Sequence, residues 1–158
     1  MATKLSTRDL INAWNTHSAD KVIEFYAENA ELETPESAQL LRGKDAIREN
    51  VQGWMKAFPD VTGDIEMEAN TGETVALLVH FSGTNRGEIV LGPGQTLPAT
   101  NKKVEMPVGI FATLDSNGKI VKERDVFDLV SYAQQLGIPL DQLAQSTPTR
   151  GATTGRTR

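Results

Sequence analysis

The 158-residue sequence contains no cysteine and only two histidines. The first absence removes disulfide frameworks, thiol nucleophiles and thiolate metal sites. The second leaves a zinc or iron site dependent mainly on carboxylates, and no HxxE or HxH spacing occurs, so no metal is expected. Positive charge is also short. Lys and Arg number 16 against 21 Asp and Glu, a formal net charge of −5 with no basic stripe, which argues against a nucleic-acid partner. No apolar run approaches the roughly 18 residues that span a bilayer. The first residues lack the basic and apolar blocks of a secretory leader, so a cytoplasmic protein with no membrane partner is expected. The length suits one domain able to bury a core unaided.

What is present divides into helical and strand-like periods. Ser6 precedes Leu10, Ile11 and Trp14 on one helical face, and Asp20 or Ser18 starts a short second helix carrying Val22, Ile23, Phe25 and Tyr26. AELETP reads as a strand stopped by Pro35, followed by the loop ESAQLLRG. In KDAIRENVQGWMKAF, Ile47, Val51, Trp54 and Phe58 recur at helical spacing until Pro59 ends the run. From Val61 the period becomes two: DIEMEA, TVALLVHFSGTN, KKVEMPVGIFATL and KIVKERDVF read as four strands. The Gly/Pro-containing stretch 88–101 is a long connection, and Asp128 caps a last helix, LVSYAQQL, ended by Gly137. Residues 146–158 have no large apolar side chain and read as a disordered tail after a single domain over 1–145. Helices first and a sheet afterwards is the α+β pattern, a curved sheet with helices laid across one face.

The stretches FYAENAELETP, LRGKDAIRENVQGWMKAFPD, HFSGTNRGE and DSNGKIVKERDVFDLVSYAQQLG, spread over residues 10–138, resemble the SnoaL-like polyketide cyclases of the nuclear transport factor 2-like superfamily. The resemblance implies a cone-shaped α+β fold with a mixed, largely antiparallel curved sheet, helices over its concave face, and usually a homodimer. It also implies an aspartate on the last strand acting as general acid and base in an intramolecular aldol closure without metal or organic cofactor. By its place in KERDVFD that aspartate is Asp125. Three positions depart from the pattern. Gly109 stands where the cyclases carry a histidine on the preceding strand, Asn85 replaces a histidine of the GTHxG stretch, and Thr34 replaces an asparagine before proline.

Alternation along KIVKERDVF puts Val121, Glu123, Asp125 and Phe127 on one face and Ile120, Lys122, Arg124 and Val126 on the other. Whichever face turns inward carries charge with it. A buried carboxyl must find donors, meet water or keep its proton, and the last condition suits acid–base work near neutrality. On the preceding strand the mixed face of Glu105, Pro107, Gly109 and Phe111 is expected to line the pocket, offering Glu105 as a second catalytic carboxyl near Asp125. The apolar face, Val104 to Ala112, would then serve packing or a dimer contact. Tyr26, Thr34, Trp54, His80, Asn85 and Gly109 complete the expected substrate-binding set, Tyr26 and Trp54 as amphipathic rings and Thr34 and Asn85 as carbonyl-orienting donors.

Three functions fit these residues: proton transfer on a hydrophobic oxygenated molecule such as a polyketide or terpenoid intermediate, giving cyclisation or isomerisation; epoxide opening on the same fold; and ligand binding without catalysis. The acidic face separates the last from the others, since a cone that merely holds an apolar ligand needs no acids inside it.

Overall fold

Side-chain caps fix where three helices begin: Ser6, Ser18 and Asp128 accept from the backbone N–H groups of Asp9, Lys21 and Ser131. The computed structural model describes residues 5–37, 39–92 and 94–144, so the tail expected from residue 146 lies outside the described residues. Helix α1 spans Thr7–Asn15 and α2 Ala19–Ile23. Tyr26, expected on the second helix, instead opens β1 (Tyr26–Glu33), because it pairs across the sheet with Ile120 and that long-range pairing overrides local helical spacing. After the two-residue β2 (Leu41–Arg42), α3 (Lys44–Ala57) buries Ile47 and Val51 one turn apart. It stops where Phe58, held extended at φ −127° by the following proline, can no longer be helical.

Strands β3 (Thr62–Asn70) and β4 (Thr74–Thr84) follow as a hairpin. The connection expected to be irregular contains a small hairpin of its own, β5 (Ile89–Gly92) and β6 (Gln95–Leu97). Then come β7 (Lys103–Leu114), β8 (Ile120–Val126), α4 (Leu129–Leu136) and α5 (Leu140–Ala144). Gly137 closes α4 in the left-handed conformation at φ 70°. The main sheet runs β2-β1-β8-β7-β4-β3, with β1 and β8 parallel and the other pairs antiparallel. This is the mixed α+β cone, curved by register shifts in β1, β3 and β8. Among the described residues no helix is long and apolar enough to cross a membrane.

The face assignment of β7 is the reverse of the expected one. Val104, Met106 and Ala112 are buried under the helices, and Glu105, Pro107 and Phe111 point outward. The cause lies in β8. Leu114 pairs with Ile120 but Thr113 pairs with Lys122, so Val121 is an extra, bulged residue. Without it Asp125 would pair with Gly109; with it the partner is Ile110. Ile110 therefore shares the inner face with Asp125, and Gly109 is turned away.

Asn85 is an internal clamp. Its side chain is fully buried, donating to the Ala57 and Gly87 carbonyls at 3.1 and 2.9 Å and accepting from the Thr100 N–H and hydroxyl at 2.7 and 3.0 Å. The Arg86 and Gly87 N–H groups also reach the Ala57 carbonyl, so this loop closes the C-terminal end of α3. Only glycine fits at 87, where a Cβ would stand 2.0 Å from the Lys56 carbonyl oxygen. The expected substrate-binding role of Asn85 is thus replaced by a structural one, since all its hydrogen-bonding capacity is spent on the backbone and the Thr100 hydroxyl. Truncating it strands several buried polar groups, so Asn85→Ala is expected to lower the urea-derived unfolding free energy by about 2–4 kcal/mol. A loss below about 1 kcal/mol would contradict the clamp.

Candidate active site

Strand β8 lies between β1 and β7, in the middle of the sheet, so its inward side chains reach the centre of the cone. Those side chains are Glu123, Asp125 and, just past the strand, Phe127. They line a cavity of about 90 Å³ whose walls are otherwise mostly apolar, including Trp14, Leu32, Val79, Phe81 and Val108. No Lys, Arg or His is among its described lining residues. The outward side chains behave as alternation requires: Arg124 pairs with Glu33 of β1 on the opposite face of the sheet.

Glu123 is 7% exposed and receives the Tyr26 hydroxyl on both carboxylate oxygens, at 2.9 and 3.1 Å. Burial pushes its carboxyl up to about 7, opposed by hydrogen bonds from Tyr26 and Asp125 that favour the anion. Asp125 is driven well above the ordinary range by burial first, then by the charges of Glu123 and Glu36. Tyr26 is likewise held well above its usual value by burial and by Glu123, so it remains a donor. The two carboxyls act as one titrating unit in which burial favours the protonated form of each. The hydrogen bond between them lowers Glu123 and raises Asp125, so the proton is favoured on Asp125. The Asp125 Oδ1 atom is buried with no hydrogen-bond partner among the described residues.

A third carboxyl, Glu36, stands across the cavity and accepts the Trp54 indole N–H at 2.9 Å. Burial raises it too, against the pull of its own backbone N–H and of Trp54. Trp54 is fixed by rings on several sides, stacked on Phe58 at 5.6 Å and edge-on to Phe81 and Phe127 at 5.6 and 6.0 Å. Among the described residues no three His, Cys, Asp or Glu side chains converge as metal ligands.

Of the expected site residues, Asp125, Tyr26 and Trp54 line this cavity. Thr34 is buried beside Glu36 without lining it. Glu105, His80 and Gly109 fall outside. Glu105 is on the convex face, where Lys103 at 3.1 Å holds its carboxyl below the ordinary value rather than above it. His80 also points outward, 3.7 Å from Glu66, because the inward residues of β4 are Val75, Leu77, Val79 and Phe81. Gly109 is displaced by the Val121 bulge. Among the lining residues missed as site members are Glu123, Asn50 and Glu36. Glu123 was visible as the neighbour of Asp125 two residues away, and Asn50 as one turn before Trp54; Glu36 sits in an aperiodic loop with no local signal.

The raised carboxyls couple stability to pH. Folded Glu123 keeps its proton up to about 7 whereas its ordinary value is 4.5, so above about pH 4.5 the folded state binds the extra proton and stability falls as pH rises, levelling once the pair is ionised. Urea denaturation is expected to show a loss on the order of 3 kcal/mol between about pH 5 and pH 8, which Glu123→Gln makes shallower. A flat profile would mean the carboxyls are solvated.

Comparison with known proteins follows the same outline. A model of the SnoaL-like polyketide cyclase family matches residues 4–136. No curated protein matches significantly. A candidate SnoaL-like polyketide cyclase from Jannaschia sp. CCS1 superposes with a TM-score of 0.71 at 17% identity, covering 84% of this chain and 89% of that one. IdmH, a candidate polyketide cyclase from Streptomyces antibioticus, gives 0.66 at 24% identity over 83% and 95%. SalBIII, an epoxide hydrolase/cyclase-like enzyme of pyran ring formation in salinomycin, gives 0.61 at 22% over 78% and 88%. At such identities these likenesses carry the fold.

Proposed function

The chain belongs to the SnoaL-like polyketide cyclase family, and from that premise we propose that it is a cofactor-independent enzyme moving a proton next to a carbonyl of a hydrophobic, oxygenated small molecule, with aldol cyclisation or isomerisation as the outcome. The observation that carries this reading is the coupled Glu123–Asp125 pair at the base of an apolar cavity, with one Asp125 oxygen unpartnered. Asp125 Oδ1 accepts the α-proton as the proton on its other oxygen passes to Glu123. The C–H electron pair moves into the carbonyl, and the enolate oxygen forms toward Glu36, where burial favours the protonated, donating form of that carboxyl. In an aldol closure the enolate carbon then bonds to a second carbonyl carbon, whose oxygen takes a proton from Asp125 as Glu123 returns the shared proton to Asp125, restoring the starting state. In an isomerisation the proton returns to a different carbon.

Epoxide opening is the second reading, favoured by Glu36: a third carboxyl whose burial favours the protonated form, beside an ionisable pair, is equipment for protonating an epoxide and activating a nucleophile. It ranks lower because Arg124 faces away from the cavity and nothing cationic replaces it among the described lining residues.

The test is deuterium exchange at the α-carbon of β-tetralone in deuterium oxide, followed by proton NMR. Wild-type exchange is expected to rise with pH through an apparent pKa near 7. Asp125→Asn should lower the rate by about 10²–10⁴ with the fold intact. Unchanged exchange in Asp125→Asn would sink the mechanism.

A homodimer formed through the convex face of the sheet belongs to the same proposal. Phe111 and Val126 are 51% and 50% exposed there, and a Cβ at Gly109 would lie 3.1 Å from the Phe111 ring, so the three make one patch. Sedimentation should find a dimer that Phe111→Glu dissociates; a wild-type monomer would refute it.

A further inference from the structure

The acid-lined cavity is small, and pockets that hold drug-sized molecules run to several hundred Å³. A second, wider space of about 840 Å³ adjoins it, and Glu36, Asn50 and Trp54 line both. One wall of this trough is the outer stripe of α3, with Ala46, Glu49, Gly53 and Ala57; the other is the β5–β6 hairpin, with Gln95 and Thr96. At Gly53 the wall is open, since a Cβ built there meets nothing within 4 Å.

The chemistry of the trough differs from that of the cavity. Its described lining includes Ser37, Gln39, Asn50, Gln95 and Thr96, which offer hydrogen bonds of both senses, and the carboxyls of Glu36 and Glu49. Among those lining residues there is no Lys, Arg or His to meet an anion.

We propose that the trough is a second binding subsite, holding an uncharged hydrogen-bonding arm, such as a polyol or ether, of an elongated substrate whose apolar carbonyl end enters the acid-lined cavity past Glu36, Asn50 and Trp54. The proposal rests on the proton-transfer reading for which end of the substrate lies inside. Substrates bearing a carboxylate, sulfate or phosphate on the arm are disfavoured, because the Glu49 carboxyl faces them and no cation is among the described lining residues. A neutral arm replaces trough water with amide and hydroxyl contacts at no charge penalty.

The experiment is isothermal titration calorimetry with three ketones sharing an acetonaphthone core, carrying a methoxy group, a triethylene glycol ether or a carboxymethyl ether. The glycol ketone is expected to bind about tenfold tighter than the methoxy ketone, and the carboxymethyl ketone weaker than either. Gly53→Phe, which fills the trough, should abolish the glycol advantage and leave the methoxy ketone unchanged. Gly53→Ala, shorter and favourable to the helix, should keep it. Glu49→Arg should restore binding of the carboxymethyl ketone. Equal affinity of glycol and methoxy ketones, a glycol advantage that survives Gly53→Phe, or no binding of the glycol ketone would each overturn the subsite. If the binding pattern holds while the bound ketone exchanges no α-proton, the subsite stands and the proposed chemistry fails.

Discussion

The structure depends on keeping two carboxyls, two residues apart on one strand, out of water. Neither Glu123 nor Asp125 has a cation to face among the described lining residues, so they are accommodated by burial that favours their protonated forms and by the Tyr26 hydroxyl, which reaches both oxygens of Glu123. An isolated buried carboxylate would cost several kcal/mol, and neutralising one member of the pair removes most of that cost. Two raised acids and one protonated phenol are therefore parts of one arrangement, and moving any of them changes the others.

The fold serves that arrangement through its middle strand. Placing β8 between β1 and β7 directs its inner face to the axis of the cone, and the parallel neighbour β1 brings Tyr26 to the same depth. The helical side supplies aromatic rings around Trp54, and the loop after β1 supplies Glu36, which accepts from the indole. Asn85 fixes the end of the same helix, well away from the cavity, and so holds Trp54 and Asn50 in place without touching a ligand.

Much of this was legible in the sequence because local periodicity and strand alternation are local rules. The caps at Ser6 and Asp128, the stripe of Ile47 and Val51, and the shared face of Glu123 and Asp125 all follow from spacing. What alternation cannot supply is which face is inside, and a single bulge reverses the answer. Counting from the turn at Asp115 leads to Gly109; the extra residue Val121 moves the true partner to Ile110. The mixed character of the Glu105 face was misleading for a second reason. The cavity takes its carboxyls from β8 and one loop and other polar groups from β1, β3 and α3, leaving β7 to contribute only apolar wall, so polarity on β7 marks solvent. Glu36, Thr34 and Asn85 sit outside regular strands, where no period exists to say what they touch.

The same energetics bear on whether the cone only holds ligands. Lifting Glu123 from 4.5 to about 7 is a stability deficit on the order of 3 kcal/mol at alkaline pH, a large share of what a domain of this size possesses. An apolar residue of similar size at either position would remove the deficit and pack well against Leu32, Val79 and Ile110. For a passive container the acids are a pure cost, and Arg124 or Lys122 could have been paired with them on the outer face instead. For a proton-transfer site the cost is the function: a carboxyl pair whose ionisation burial has raised, with one Asp125 oxygen left unpartnered, is a base that a solvated aspartate cannot be.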